Sequence, residues 1–192
     1  MRLLRLHHHC VANFLLACGL LLGLASPLYA QTAGSTGSDV IRTLAKERTL
    51  GEDGAALLKD FANKDAARLA QGRLLYSAAR AEFEGLIEAL KDDLVADRDP
   101  AATPAFQSTL NEAVAKREAF VEFLKREVVP TVGNDKAGVL AGITAAAALI
   151  PALADGGAKL WGEWRKASAE RRAEIERKLD AQKWRAFERI GQ

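Results

Sequence analysis

From Asp39 onward apolar residues recur at helical spacing, and no stretch sustains the alternation expected of a strand. Asp39 can cap a short first helix carrying Val40, Ile41 and Leu44 on one face. Gly51-Glu52-Asp53-Gly54 predicts a turn after it, followed by a helical piece with Leu57, Leu58 and Phe61. The clearest pattern comes next. Leu69, Tyr76, Phe83 and Leu90 are seven residues apart, and Ala79, Leu86, Ile87 and Leu94 fill the complementary seam. A seven-residue stripe of this coiled-coil type calls for a helix lying alongside it.

That helix starts at Asn63 or Asp65 and must stop at Asp97-Arg98-Asp99-Pro100, because proline disfavours helix in the residue before it. Thr103-Pro104 restarts the chain with a capping hydroxyl and proline at the first helical position. The second stripe, Phe106, Leu110, Ala113, Val114, Phe120, Val121, Leu124 and Val128, runs to about Val129. So short a connection makes the two helices antiparallel neighbours.

Ala137 to Ala154 is eighteen residues without a charge, with Pro151 expected to kink or end it and Asp155-Gly156-Gly157 to break it. A last amphipathic helix of roughly 50 Å is predicted over Ala158–Ile190, at 1.5 Å per residue. Together these elements predict an all-α, elongated helical bundle: a long antiparallel hairpin (about 65–129), an apolar alanine-rich helix (about 136–154) and a long C-terminal helix (about 158–190).

The first thirty residues stand apart from this body. Arg2, Arg5 and His7-His8-His9 open them, Val11 to Ala25 is uncharged, and Ser26-Pro27 precedes Leu28-Tyr29-Ala30. The expectation is a secretory signal peptide (1–30) cleaved after Ala30, a small polar tether (31–38) and one helical-bundle domain (39–192) in the periplasm or outside the cell. Two other fates remain. Leu15-Leu16-Ala17-Cys18 resembles a lipoprotein cleavage box, although the apolar run continues past Cys18. The segment could also stay as an uncleaved anchor, being only a little shorter than the ~20 residues that span a bilayer.

Processing after Ala30 changes the chemistry available. All three histidines, both cysteines and the only methionine leave with the leader, so Cys/His metal sites, thiol nucleophiles and Ser-His-Asp arrangements leave too. Arg2 and Arg5 leave as well, so 25 basic residues face 25 acidic ones. A neutral chain argues against an obligate nucleic-acid binder. No phosphate loop, nucleophile elbow or dinucleotide fingerprint is present. A hydrolase working through carboxylates such as Glu118 and Glu122 is not excluded, but nothing arranges them. The expected protein is non-catalytic and cofactor-free, binding a protein or cell-envelope component; its oligomeric state is open.

Three features could carry that binding. In the apolar segment, Gly138 and Gly142 stand four apart, which lets helices approach closely in a core or in a bilayer. Burial is favoured over insertion, because alanine is only weakly favourable to insert and Pro151 interrupts the run. Trp161 and Trp164 share a helix face beside that segment, and Trp184 lies near the C-terminus. Each could be a partner or membrane-surface contact, or could plug the end of the bundle. Finally, Lys159 to Arg189 holds ten basic and six acidic residues, whereas Glu84, Glu88, Asp92, Asp93, Asp97 and Asp99 form an acidic strip. The two strips are expected to pair. Calcium at Asp93, Asp97 and Asp99 would want oxygen ligands near a turn, but the spacing lacks the calcium-loop glycine.

Overall fold

The computed structural model describes residues 37–133, 138 and 151–190, and among them the chain is all-α. Helix α1 is Gly37–Ala62, α2 Ala66–Val95, α3 Pro104–Phe123, α4 Pro151–Lys166 and α5 Ala169–Asp180. A 3₁₀ turn, Pro100–Ala102, links α2 to α3; a π-helical turn, Leu124–Val128, and a last α-turn, Val129–Val132, continue α3. Of the apolar segment, Gly138 and residues 151–154 are among the described residues and the rest lies outside them. Its final four residues, 151–154, form the first turn of α4.

The hairpin is present as expected. Asp65 caps α2 by accepting a hydrogen bond from the Arg68 amide, and Pro104 opens α3. The Thr103 hydroxyl, expected to cap α3, instead donates to the Asp99 carbonyl at 2.9 Å. α2 ends in a Schellman arrangement: the Arg98 amide donates to the Asp93 carbonyl at 2.8 Å and the Asp97 amide to the Leu94 carbonyl at 3.2 Å. This places Asp97 at φ 53°, a left-handed conformation that Asp tolerates better than most residues. The seven-residue stripe is buried throughout, with Tyr76, Leu86, Ile87 and Leu94 closed to solvent.

Three expectations are corrected. Gly51–Gly54 is not a turn but the middle of α1, and Gly156-Gly157 is not a break but the middle of α4. These glycines are notches in helix faces. A methyl on Gly51 would lie closer than 3.0 Å to the Trp184 ring, one on Gly54 to Phe120, and one on Gly156 to Val40. Tertiary contact outweighs the roughly 1 kcal/mol that glycine costs a helix.

The third correction concerns the C-terminal helix, which is not one long rod. α4 stops at Lys166, and Ser168 starts α5 by accepting from the Arg171 amide at 3.3 Å. After Asp180 the chain leaves the helix, with only a 3₁₀ turn at Phe187–Arg189. The bundle is therefore compact rather than elongated.

The non-helical tail is held by side chains of α1 and α2 that donate to its backbone carbonyls. Tyr76 Oη reaches the Arg185 carbonyl at 2.8 Å, Arg80 Nε that of Trp184 at 3.1 Å, and Arg48 Nη1 that of Ala181 at 3.3 Å. Without helical partners those carbonyls need donors, and the side chains supply them. Trp184 then stacks within 5.5 Å of Tyr76 and 5.6 Å of Phe83, and Phe187 lies 6.0 Å from Tyr76.

α1 and α3 are tied by an ion pair inside the core. Glu47 and Arg117, both closed to solvent, meet with Nε donating to Oε2 at 2.7 Å. Burial pushes the Glu47 carboxyl above its ordinary value, and Arg117 pulls the other way.

Candidate contact surface

The C-terminal end of α2 meets the α4–α5 corner, where two open hollows lie. α4 brings Trp161, Trp164 and Arg165; α5 brings Arg172, Ala173 and Glu176; α2 brings Val95. Trp164 is buried, 5% exposed, and forms the floor, whereas Val95 stands 67% exposed at the rim. Between them lies an open trough of about 480 Å³ lined by Val95, Trp164, Ala167, Arg172, Ala173 and Glu176 among others. A second hollow of about 280 Å³, bounded by Asp97 and Arg165, shares Val95, Trp164 and Arg172 with it.

Each indole carries a guanidinium. Arg165 sits 5.0 Å from the Trp161 ring centre and Arg172 5.5 Å from that of Trp164, within the range of cation–π attraction. Asp97 organises the first pair: Trp161 Nε1 donates to its Oδ1 at 3.0 Å, and Arg165 Nε approaches the same oxygen at 3.3 Å. Half-buried Trp161 is thereby held in one orientation, its flat face turned to a cation. Arg172 instead caps the end of α4, with Nε donating to the Trp164 carbonyl at 3.0 Å and Nη2 to that of Arg165 at 3.4 Å.

The residues singled out by sequence therefore separate. Trp161 and Trp164 come together at this corner, one half-buried and one buried. Trp184 is 4% exposed and belongs to the core against Gly51, not to a contact surface. Gly138 is exposed, and a Cβ there would meet nothing within 4 Å; Gly142 lies outside the described residues. Val95, Asp97, Arg165 and Arg172 complete the surface without having been singled out for it. Tryptophan three residues from tryptophan, followed by arginines one and eight residues later, was the available signal.

The acidic strip pairs with the C-terminal region only in part: Glu88 meets Lys183 and Asp97 meets Arg165, whereas Glu84 pairs with Arg80 and Asp93 with Arg98 nearby in sequence. Lys91 contacts Glu88 at 3.2 Å and Asp180 at 2.8 Å, and Lys183 closes the quartet onto the same two carboxylates. Hydrogen bonds from Lys183, and then from Lys91, hold both carboxyls below their ordinary values, while Asp180 and Glu88 raise both lysines. Because the carboxyl values are depressed on folding, this stability is present above pH 4.5 and is lost as pH falls through the folded values. The carboxylates are nearly half exposed, so screening limits each pair to about 1 kcal/mol or less. Glu88→Gln with Asp180→Asn should accordingly flatten the acid limb of a urea-stability profile below pH 4.5. An unchanged limb would assign it to other carboxylates.

Among the described residues no group of three or more His, Cys, Asp or Glu is placed to hold a metal ion, and no helix is long and apolar enough to cross a membrane. No known family model, curated protein or solved structure matches this chain.

Proposed function

We propose that this chain is an exported, non-catalytic helical-bundle protein that acts by binding a protein or envelope component, as a structural, adaptor or chaperone-like element, through the α4–α5 corner. The observation that carries the proposal is half-buried Trp161, pinned by Asp97 and stacked with Arg165, beside an open trough rimmed by exposed Val95. A rigid aromatic next to a cation and a hollow of mixed polar and apolar lining is a composition from which binding hot spots are made, since it offers large area at little ordering cost. Export is supported by the cationic start, the uncharged stretch from Val11 to Ala25 and the small residue before Gln31. The charge balance after Ala30 favours a partner recognised by shape and aromatic contact over a polyanion.

The test separates contact from core. Val95→Glu alters an exposed side chain and should leave helical content and Tm near those of the unaltered chain, whereas Trp161→Ala removes a half-buried ring packed on the core and should keep the helical content while lowering Tm. A photo-reactive residue at position 95 should cross-link a defined envelope partner in cells, and Trp161→Ala should remove that product. Trp164→Ala is the control: as a buried floor it should cost about 3–5 kcal/mol of stability. If cross-linking at position 95 survives Trp161→Ala, the corner is not the binding surface.

A competing membrane role would insert 137–154, and carbonate extraction of the processed protein decides it. Complete release from membranes is expected; retention in the pellet would favour insertion.

A further inference from the structure

We infer that the trough beside Trp164 takes a segment of a partner protein that sets a carboxylate next to an apolar side chain, with Arg172 gripping the carboxylate. The inference deepens the proposed contact surface and rests on it. A guanidinium has five N–H donors in a planar fork. In Arg172 the Nε edge is committed: Nε binds the Trp164 carbonyl and Nη2 the Arg165 carbonyl. Those two acceptors and the indole beneath fix its position without neutralising its charge.

No ion pair forms between Arg172 and a carboxylate among the described residues. Glu176, one helical turn along, lines the same trough without reaching it. The remaining donors, on the Nη1/Nη2 end, are the pair that matches a carboxylate with two parallel bonds. By contrast Arg165, across the adjoining hollow, already has Asp97.

The start of α5 is not the anion site. Ser168 takes the Arg171 amide, and the Glu170 carboxyl is drawn below its ordinary value by its own backbone N–H and by Ser168. The Glu170 and Arg171 amides of the first turn are thus already used, which leaves the guanidinium as the anchoring cation. The walls decide the rest of the ligand. Val95, Ala167, Ala169 and Ala173 are short and apolar, and the hollow of about 480 Å³ suits one or two aliphatic side chains. With one unpaired cation and the Glu176 carboxylate also on the wall, a singly charged carboxylate beside leucine or valine fits better than a doubly charged phosphate. Trp161 extends the surface beyond the trough, as expected for a chain segment rather than a free small acid.

The test is an amide and indole NMR titration of the full processed chain. The probes are acetyl-Ala-Leu-Glu-Leu-Ala-amide and the same peptide with glutamine in place of glutamate. The acidic peptide should shift the amides of Val95, Ala169, Arg172 and Ala173 and the Trp161 indole N–H, saturating at millimolar peptide. The glutamine peptide should bind about tenfold more weakly, the smaller end of what a charge-assisted pair contributes. Arg172→Lys, which keeps the charge and loses the fork, should weaken the acidic peptide to the same degree.

Arg172 also caps α4, so Val95→Glu provides a variant that does not touch the cap. It should abolish the shifts with unchanged circular dichroism. Equal binding of the two peptides at these amides overturns the carboxylate inference while the contact surface stands. Absence of shifts with either peptide overturns both. Vesicles containing phosphatidylglycerol form the last arm; perturbation of the same amides by vesicles but not by peptide would make the corner a lipid surface and overturn the inference.

Discussion

Arg117→Met should lower the free energy of unfolding by about 3–5 kcal/mol, because it leaves the Glu47 carboxylate buried without its cation. Glu47→Leu combined with Arg117→Met should recover most of that loss or exceed the starting stability, since desolvating both charges already costs much of what their attraction returns. The pH dependence identifies the cause. Burial raises the folded value of Glu47 above the ordinary 4.5, so between these values the native state holds more protons than the unfolded one. Stability on this account is greatest below 4.5 and falls as pH rises through the folded value, opposite in sign to the surface quartet. Removing Arg117 removes the attraction that opposes this shift. The deficit of Arg117→Met should therefore be smaller near pH 4.5 and widen toward neutral pH, as read by urea unfolding at both. A deficit independent of pH, or a double variant no better than the single one, would mean that lost packing rather than an uncompensated carboxylate dominates.

The hairpin was legible because two independent signals agreed on it: a seven-residue stripe, and prolines at 100 and 104 that punctuate it. Where one signal stood alone it misled. Trp184, Phe187 and Ile190 are spaced by three, which suits a helix face but equally a tail with a 3₁₀ turn whose carbonyls are held by Tyr76, Arg80 and Arg48. Glycine pairs at 51/54 and 156/157 read as breaks because the large groups that fill their notches are distant in sequence. The buried ion pair shows the same limit, its partners lying 70 residues apart. A trace of it was present, since Glu47 falls in line with Val40, Leu44, Gly51 and Leu58, and Arg117 with Leu110, Ala113, Phe120 and Leu124. A lone charge in an apolar stripe implies an opposite one facing it. At the contact surface Trp161 and Trp164 were visible by type, but which of them is the more buried depends on what packs against α4, and Trp161's partner Asp97 lies 64 residues away.

Gly51 and Trp184 should show the strongest coupling in the molecule, including a change of sign. Trp184→Ala empties a site enclosed by Tyr76, Phe83 and α1, and should cost about 3–5 kcal/mol. Gly51→Ala in the otherwise unaltered chain places a methyl inside the contact distance of the Trp184 ring, which is rigid and wedged by its neighbours. Overpacking of this kind costs about 1–3 kcal/mol, against a helix-propensity gain of about 1 kcal/mol, so a net loss is expected. With Trp184 already alanine, the notch is empty and only the propensity gain remains. Gly51→Ala should then stabilise, by up to about 1 kcal/mol. The double-mutant cycle, measured by chemical denaturation, should give an interaction term of about 1–3 kcal/mol. The cycle also discriminates between two forms of the C-terminus. A continuous helix over 158–190 would carry Trp184 away from Gly51, and the two substitutions would then add. Non-additivity of the stated sign requires the tail to fold back and seat its indole in α1.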